Sequence, residues 1–186
     1  MAAPNSPFDQ AGFNELVDRH HAALHAFARR RLADQSAIED VLSETFLVAW
    51  RRRADIPESA LPWLYGVCRR TISTHRRTAR RRARLWGRLA AEPTSPARDP
   101  ADVHAERSAI NRAFAQLSES ERETLRLVAW EGLSTSEAAA SMGVTPGAFR
   151  VRFHRARRSL EKHLEAGGHE RVMEAPSNPP QPESGR

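Results

Sequence analysis

The strongest chemical signal in the chain is a set of side chains suited to a polyanion. Arg150, Val151, His154, Arg155 and Arg158 recur at one-, three- and four-residue intervals, so on a helix they share one face. That face holds three arginines and no acid. Arginine forks bond guanine edges bidentately or reach phosphate oxygens. Phe149, Phe153, Ala156 and Leu160 fall on the opposite side, where they would pack inward. Gly147 near the start of the helix permits close approach to a backbone. A solvated helix face generally mixes both charge signs; this one does not.

A second basic stretch covers residues 59–91, which contain nine arginines and no acid. Trp63, Tyr65 and Trp86 are interleaved with Arg69, Arg70, Arg76, Arg77, Arg80, Arg81, Arg82, Arg84 and Arg88. Such a helix can follow phosphates while nearby aromatic rings stack on unpaired bases. Trp63 is equally suited to a core position. Asp40 and Glu44 stand four residues apart beside Ser43, an acidic strip that suggests a protein partner. His20, His21 and His25 lie close together, but neighbouring acids have no recognised metal spacing, so no metal or other cofactor is expected. Neither a phosphate-cradling glycine loop nor a nucleophile elbow is visible, and the chain is not expected to be an enzyme.

These residues need helices to position them. Apolar spacing from Phe13 through Leu16, Val17, Leu24 and Phe27 predicts a first helix. Ala33-Asp34-Gln35 breaks it, and Ser36 with Glu39 reads as a capping box opening a second helix that ends near Arg53. A third helix starts around Leu61-Pro62, buries Leu64, Val67, Cys68 and Ile72, and continues as an arginine-rich extension through Arg84. After it, residues 90–102 contain three prolines and read as a linker. A helix from Val103 to Leu117 is expected to turn Ile110, Phe114 and Leu117 inward. Ser118 with Glu121, and Ser134 with Glu137, are capping boxes; Gly132 ends the intervening helix. Gly143 makes a turn, Thr145 caps the last helix with Pro146 at its first position, and that helix runs to about Leu164. Thr135–Arg158 therefore has the layout of a helix-turn-helix.

The expected fold is all-α: two small helical domains joined by a flexible linker. Residues 1–10 form a loose start, 11–88 the first domain, 89–105 the linker, 106–165 the second domain, and 166–186 a disordered Pro-rich tail. The net charge of +6 suits a polyanionic partner, and its distribution says more than its size. Residues 8–58 hold seven arginines and nine acids, whereas 59–91 carry only positive charge. All the basic residues except Lys162 are Arg, a bias that a GC-rich genome partly explains. The lone Cys68 excludes an internal disulfide and lies on an apolar face, as a buried structural thiol would. The N-terminus lacks a secretory pattern and no apolar run approaches the ~18 residues of a membrane span, so a cytoplasmic protein without membrane insertion is expected.

Together these stretches resemble the sigma-70 family of RNA polymerase sigma factors, in its small extracytoplasmic-function group. Glu39-Asp40-Val41-Leu42-Ser43-Glu44-Thr45-Phe46-Leu47-Val48-Ala49-Trp50 resembles the family's region 2 core helix, and Leu61-Pro62-Trp63-Leu64-Tyr65-Gly66-Val67 its following helix. Glu131-Gly132-Leu133-Ser134 and Gly143 through Arg157 resemble the turn and recognition helix of region 4. The resemblance covers about residues 11–83 and 106–165. It implies an alternative sigma factor that directs core RNA polymerase to promoters. Asp40, Ser43 and Glu44 would bind the β′ clamp helices. Trp63, Arg69, Arg70, Arg76 and Arg77 would serve the melted −10 element. Arg150, Val151, His154, Arg155 and Arg158 would read the −35 element, with the second domain seated on the β flap. An anti-sigma factor is an implied partner. Two other classes fit parts of the chain: a stand-alone helix-turn-helix regulator of duplex DNA, which would bind its site without polymerase, and a protein-interaction adaptor with incidental charge.

Overall fold

The computed structural model describes residues 9–87 and 109–173, and among these there are seven α-helices and no strand. They are α1 (Gln10–Arg29), α2 (Gln35–Arg51), α3 (Ala60–Gly87), α4 (Ala109–Gln116), α5 (Glu119–Ala129), α6 (Thr135–Met142) and α7 (Pro146–Met173). The expected linker 89–105, the helix start at Val103, the Pro-rich segment beyond residue 173, the first eight residues and the side chains of Arg84, Trp86 and Arg88 lie outside the described residues.

Helices α1, α2 and α3 form one group. Leu24, Phe27, Ile38, Val41 and Leu64 are fully buried between them. Cutting Leu24, Phe27, Ile38 or Leu64 back to alanine would remove ~2–5 kcal/mol. Phe27 stacks on Tyr65 at 4.7 Å between ring centroids, which fixes the α1–α3 contact. Helices α4 to α7 form the second group, with Ala113, Leu117, Leu125 and Ala156 inside.

Several element boundaries differ from the sequence expectations. Asp34, not Ser36, caps α2: its carboxylate accepts the Ala37 N–H at 3.0 Å, while the Ser36 hydroxyl donates to that same carboxylate. Aspartate two residues earlier is already positioned to accept the orphan N–H groups of the first turn. Helix α1 opens earlier than Phe13 because Asp9 accepts the Gly12 N–H at 2.8 Å. Helix α2 stops at Arg51, and Arg53–Asp55 forms a 3₁₀ turn. Helix α7 continues past Leu164 to Met173, a stretch that contains no proline to end it. Ile110 is 57% exposed rather than inward, and Ala113 takes the buried position on α4. Both remaining capping boxes form as expected: Ser118 with Glu121, and Ser134 with Glu137.

The two groups pack on each other, which the linker composition does not foretell. One continuous apolar cluster runs from Phe13 and Leu24 in α1 to Leu127, Ala138, Ala139 and Phe149 in the second group. Helix α3 meets α6 at Gly66, where an added Cβ would stand 2.8 Å from the Ser141 carbonyl oxygen. Only a residue without a side chain permits that crossing.

Candidate nucleic-acid interface

The helix-turn-helix is formed by α6 and α7. Gly143 takes φ +67°, a left-handed conformation that glycine adopts without the Cβ clash, and it turns the chain out of α6. The Thr145 hydroxyl accepts the Ala148 N–H at 3.2 Å, capping α7 ahead of Pro146. Phe149 and Ala156 are buried and Phe153 and Leu160 half-buried, so the inner face is the one expected. Arg150, Val151, His154, Arg155 and Arg158 are all exposed on the outer face. Val151 is 52% exposed, an apolar contact suited to a thymine methyl. Nothing stands within 4 Å of a Cβ built at Gly147, so the leading end of the helix is open.

Helix α3 divides the other arginines by direction. Arg70 and Arg77 are exposed. Arg69 and Arg76 turn toward the second group instead. Arg69 donates to the Met142 carbonyl at 3.4 Å, its Nε is buried without a partner, and burial holds its pKa below the usual arginine value. Arg76 pairs with Glu119 and also donates to the Arg31 carbonyl. Trp63 is half-buried, with the Arg52 guanidinium 5.7 Å from its ring centroid. It is partly core and partly surface, between the two readings of the sequence.

Asp40, Ser43 and Glu44 are exposed along α2 and line a groove of about 1020 Å³ between α2 and α3. Arg70 and His75 form the opposite wall. Leu47 adds an apolar edge, 45% exposed. Leu47 was not among the expected contact residues; its spacing of four from Ser43, which puts both on one helix face, was the available signal.

Four further residues were missed: Arg30, Arg31, Glu123 and Glu131. Arg31 is only 4% exposed and forks onto Glu123 at 2.9 and 3.2 Å, while its other nitrogen reaches Glu131 at 3.0 Å. Its guanidinium also lies 3.4 Å over the Phe27 ring centroid. Glu131 additionally accepts from Arg30. These pairs join the two groups and are separated by about a hundred residues in sequence, so no local pattern announces them.

The histidine rings of His21 and His25 stack, and His21 also stacks on Phe46 at 6.1 Å. Burial and the neighbouring Arg19 lower the pKa of His20. Among the described residues no three His, Cys, Asp or Glu groups converge as metal ligands would. Cys68 is fully buried and its thiol pKa is pushed up to about 12 by burial. Among the described residues no helix is long and apolar enough to cross a membrane.

Residues 16–82 match the family described as Sigma-70 region 2, and residues 107–160 match Sigma-70, region 4. The chain is 35% identical over 158 residues to ECF RNA polymerase sigma factor SigL of Mycobacterium tuberculosis, covering 82% of this chain and 89% of that protein. It is 30% identical over 156 residues to the RNA polymerase sigma-E factor of Streptomyces coelicolor, covering 83% and 86%. Two solved structures share the fold. One is CnrH in complex with the cytosolic domain of CnrY, at 27% identity and TM-score 0.57, covering 87% of this chain and 92% of that one. The other is RpoE in complex with the anti-sigma factor NepR from Bartonella quintana, at 25% identity and TM-score 0.58, covering 82% and 96%.

Proposed function

The chain belongs to the sigma-70 family of RNA polymerase sigma factors, in its extracytoplasmic-function group, and on that premise we propose how its residues divide the work of promoter recognition. It is an alternative sigma factor for transcription initiation. The domain formed by residues 11–88 binds polymerase and the −10 element; the domain formed by residues 106–165 reads the −35 element. Segment 89–105 joins them.

Asp40, Ser43 and Glu44, with Leu47 beside them, dock on the β′ clamp helices. The α2 wall of the groove offers acids, a hydroxyl and an apolar edge to a basic, amphipathic partner helix, opposite an α3 wall that carries Arg70, His75 and Arg82. Arg69, Arg70, Arg76 and Arg77 follow the phosphates of the melted −10 strand, and Trp63 supports an unpaired base. Arg150, Val151, His154, Arg155 and Arg158 enter the major groove at the −35 element. The second domain also contacts the β flap. The observation that carries this division is the open, acid-free stripe of α7 within the region 4 match, on the same chain as the acidic strip of α2 within the region 2 match.

The chain itself catalyses no reaction and takes no cofactor; it directs a polymerase. It works in the cytoplasm, where the polymerase and template are. An anti-sigma factor holds it when it is not needed, by analogy with the RpoE–NepR complex. A stand-alone regulator would lack the region 2 match, so that reading is not favoured.

Transcription in vitro with core polymerase over a genomic promoter pool tests the proposal. Start sites should appear only when this protein is added, and they should share spaced −35 and −10 sequences. Core polymerase that gains no start-site selectivity would overturn it.

A further inference from the structure

Between α3 and the second helical group lies a cavity of about 270 Å³. Arg31, Arg69, Arg76 and Arg152 line it, together with Glu119 and Glu123. The arginines come from the turn after α1, from α3 and from α7, so no local stretch of sequence gathers them. Four cations against two carboxylates leave two positive charges. The ion pairs show which two. Glu123 takes Arg31 and Glu119 takes Arg76, whereas among the described residues Arg69 and Arg152 reach no carboxylate.

Arg69 is the sharper signal. Its Nε is buried and has no hydrogen-bond partner. One terminal nitrogen reaches the Met142 carbonyl, at a long 3.4 Å. Burial holds its pKa below the usual arginine value; Glu123 opposes that shift, while Arg70, Arg31 and Arg152 add to it. A buried donor left without an acceptor is costly, and more so when it is charged. The surplus of positive charge around it favours an anionic acceptor over a neutral one. Two hydroxyls, Ser73 of α3 and Ser120 of α5, line the same space and can donate to an oxyanion. Ser120 is the second residue of α5, where the amino end of the helix adds partial positive charge. The volume lies at the small end of ligand clefts, ~300–1,000 Å³, and suits a single phosphate group.

We propose that this cavity binds a phosphate dianion, free or as the terminal phosphate of a nucleotide, through the Arg69 Nε–H and the Arg152 guanidinium, with Ser73 and Ser120 donating to its remaining oxygens. Guanidinium forks match the oxygens of phosphate, and a lysine cannot reproduce the buried Nε–H. The site is separate from the outer face of α7, because Arg150, Val151, His154, Arg155 and Arg158 do not line it. It does not rest on the assignment of Arg69 and Arg76 to the −10 strand.

The isotope-labelled full chain is titrated with inorganic phosphate at fixed ionic strength and mildly alkaline pH, where phosphate is doubly charged. Calorimetry reads the stoichiometry and affinity, and NMR follows the arginine Nε–H resonances. Phosphate should bind saturably, one per chain, and shift the Arg69 Nε–H resonance, which is identified by its loss in Arg69→Lys. Arg152→Ala should weaken binding about tenfold, as loss of one charge-assisted contact does. Arg69→Lys keeps the charge, removes the Nε–H and should weaken binding as much. Arg157→Ala removes the same charge elsewhere on α7 and should leave phosphate binding unchanged. Circular dichroism checks that each variant is folded; if Arg69→Lys is not, Arg152, which is exposed, still decides. A second titration with guanosine monophosphate separates the sources: tighter binding than phosphate assigns the site to a nucleotide, equal or weaker binding to the free ion. Three results would each overturn the site: no saturable phosphate binding, binding that survives Arg69→Lys and Arg152→Ala unchanged, or a loss in Arg157→Ala as large as that in Arg152→Ala.

Discussion

Arg150→Ala and Arg155→Ala separate base reading from simple charge attraction. Both side chains are exposed and, among the described residues, neither takes part in an ion pair, so truncation should disturb the fold little. Arginine and alanine are both good helix formers, so the stability change should stay within ~0.5 kcal/mol. Any larger effect on promoter use therefore belongs to the DNA contact. A side chain that forks onto a guanine contributes ~1–3 kcal/mol of discrimination, which is roughly a 5- to 160-fold change in occupancy of the cognate −35 element. A side chain that touches only phosphate lowers binding at every sequence alike and reduces the salt slope by about one. The assay is transcription in vitro by the reconstituted holoenzyme on a promoter drawn from the selected pool and on all single-base variants of its −35 element, at two salt concentrations. The reading predicts that at least one variant protein loses preference at one base position and keeps it at the others. If both arginines were removed and promoter use stayed the same, α7 would not be the reading helix, whatever its shape.

Three further outcomes follow from buried and capping groups. Phe149→Ala should cost about 3–5 kcal/mol in urea unfolding, since the ring is 1% exposed and anchors α7 from inside; a loss below 1 kcal/mol would mean the helix is held elsewhere. Cys68, buried and raised to about 12, should resist iodoacetamide at pH 8 until the chain unfolds; rapid alkylation of the native protein would contradict its placement. Hydrogen bonds from Ser118 and Ser134 hold the carboxyls of Glu121 and Glu137 below the usual value of 4.5, so their contribution is present above that pH and fades as pH falls through the lowered values. Ser118→Ala and Ser134→Ala should each cost about 1 kcal/mol at neutral pH and flatten the acid limb of a thermal-melt series; an unchanged acid limb would discredit the capping account.

Local patterns carried most of the fold. Capping boxes at Ser118 and Ser134, the glycine turn at Gly143 and the inner face of α7 are all written within a few residues of each other, and each formed as expected. Failures arose where two local signals competed. Ser36 with Glu39 looked like a cap, but Asp34 has a stronger acceptor closer to the first turn. Ile110 fitted the helical period, but Ala113 filled the inward position. Long-range chemistry was illegible. Arg31 reads as one of three consecutive arginines at a helix end; only the folded chain sets it against Glu123 and Glu131. Trp63 stayed ambiguous because its surroundings use both of its faces.

The same limit explains why regional charge overstates the nucleic-acid surface. The acid-free stretch 59–91 counts Arg69 and Arg76 with Arg70 and Arg77, yet the first two are committed to Met142 and Glu119 and the others face solvent. What distinguishes a free cation from an internal one is whether an acceptor, a carboxylate for Arg76 or a backbone carbonyl for Arg69, reaches it, and that acceptor comes from another helix. Buried pairs such as Arg31–Glu131 recover little beyond the cost of drying both charges, while breaking one by removing a single partner costs about 3–5 kcal/mol. Such contacts add modestly to stability but strongly prefer one arrangement. The packing of the two groups built on them is specific without being deep.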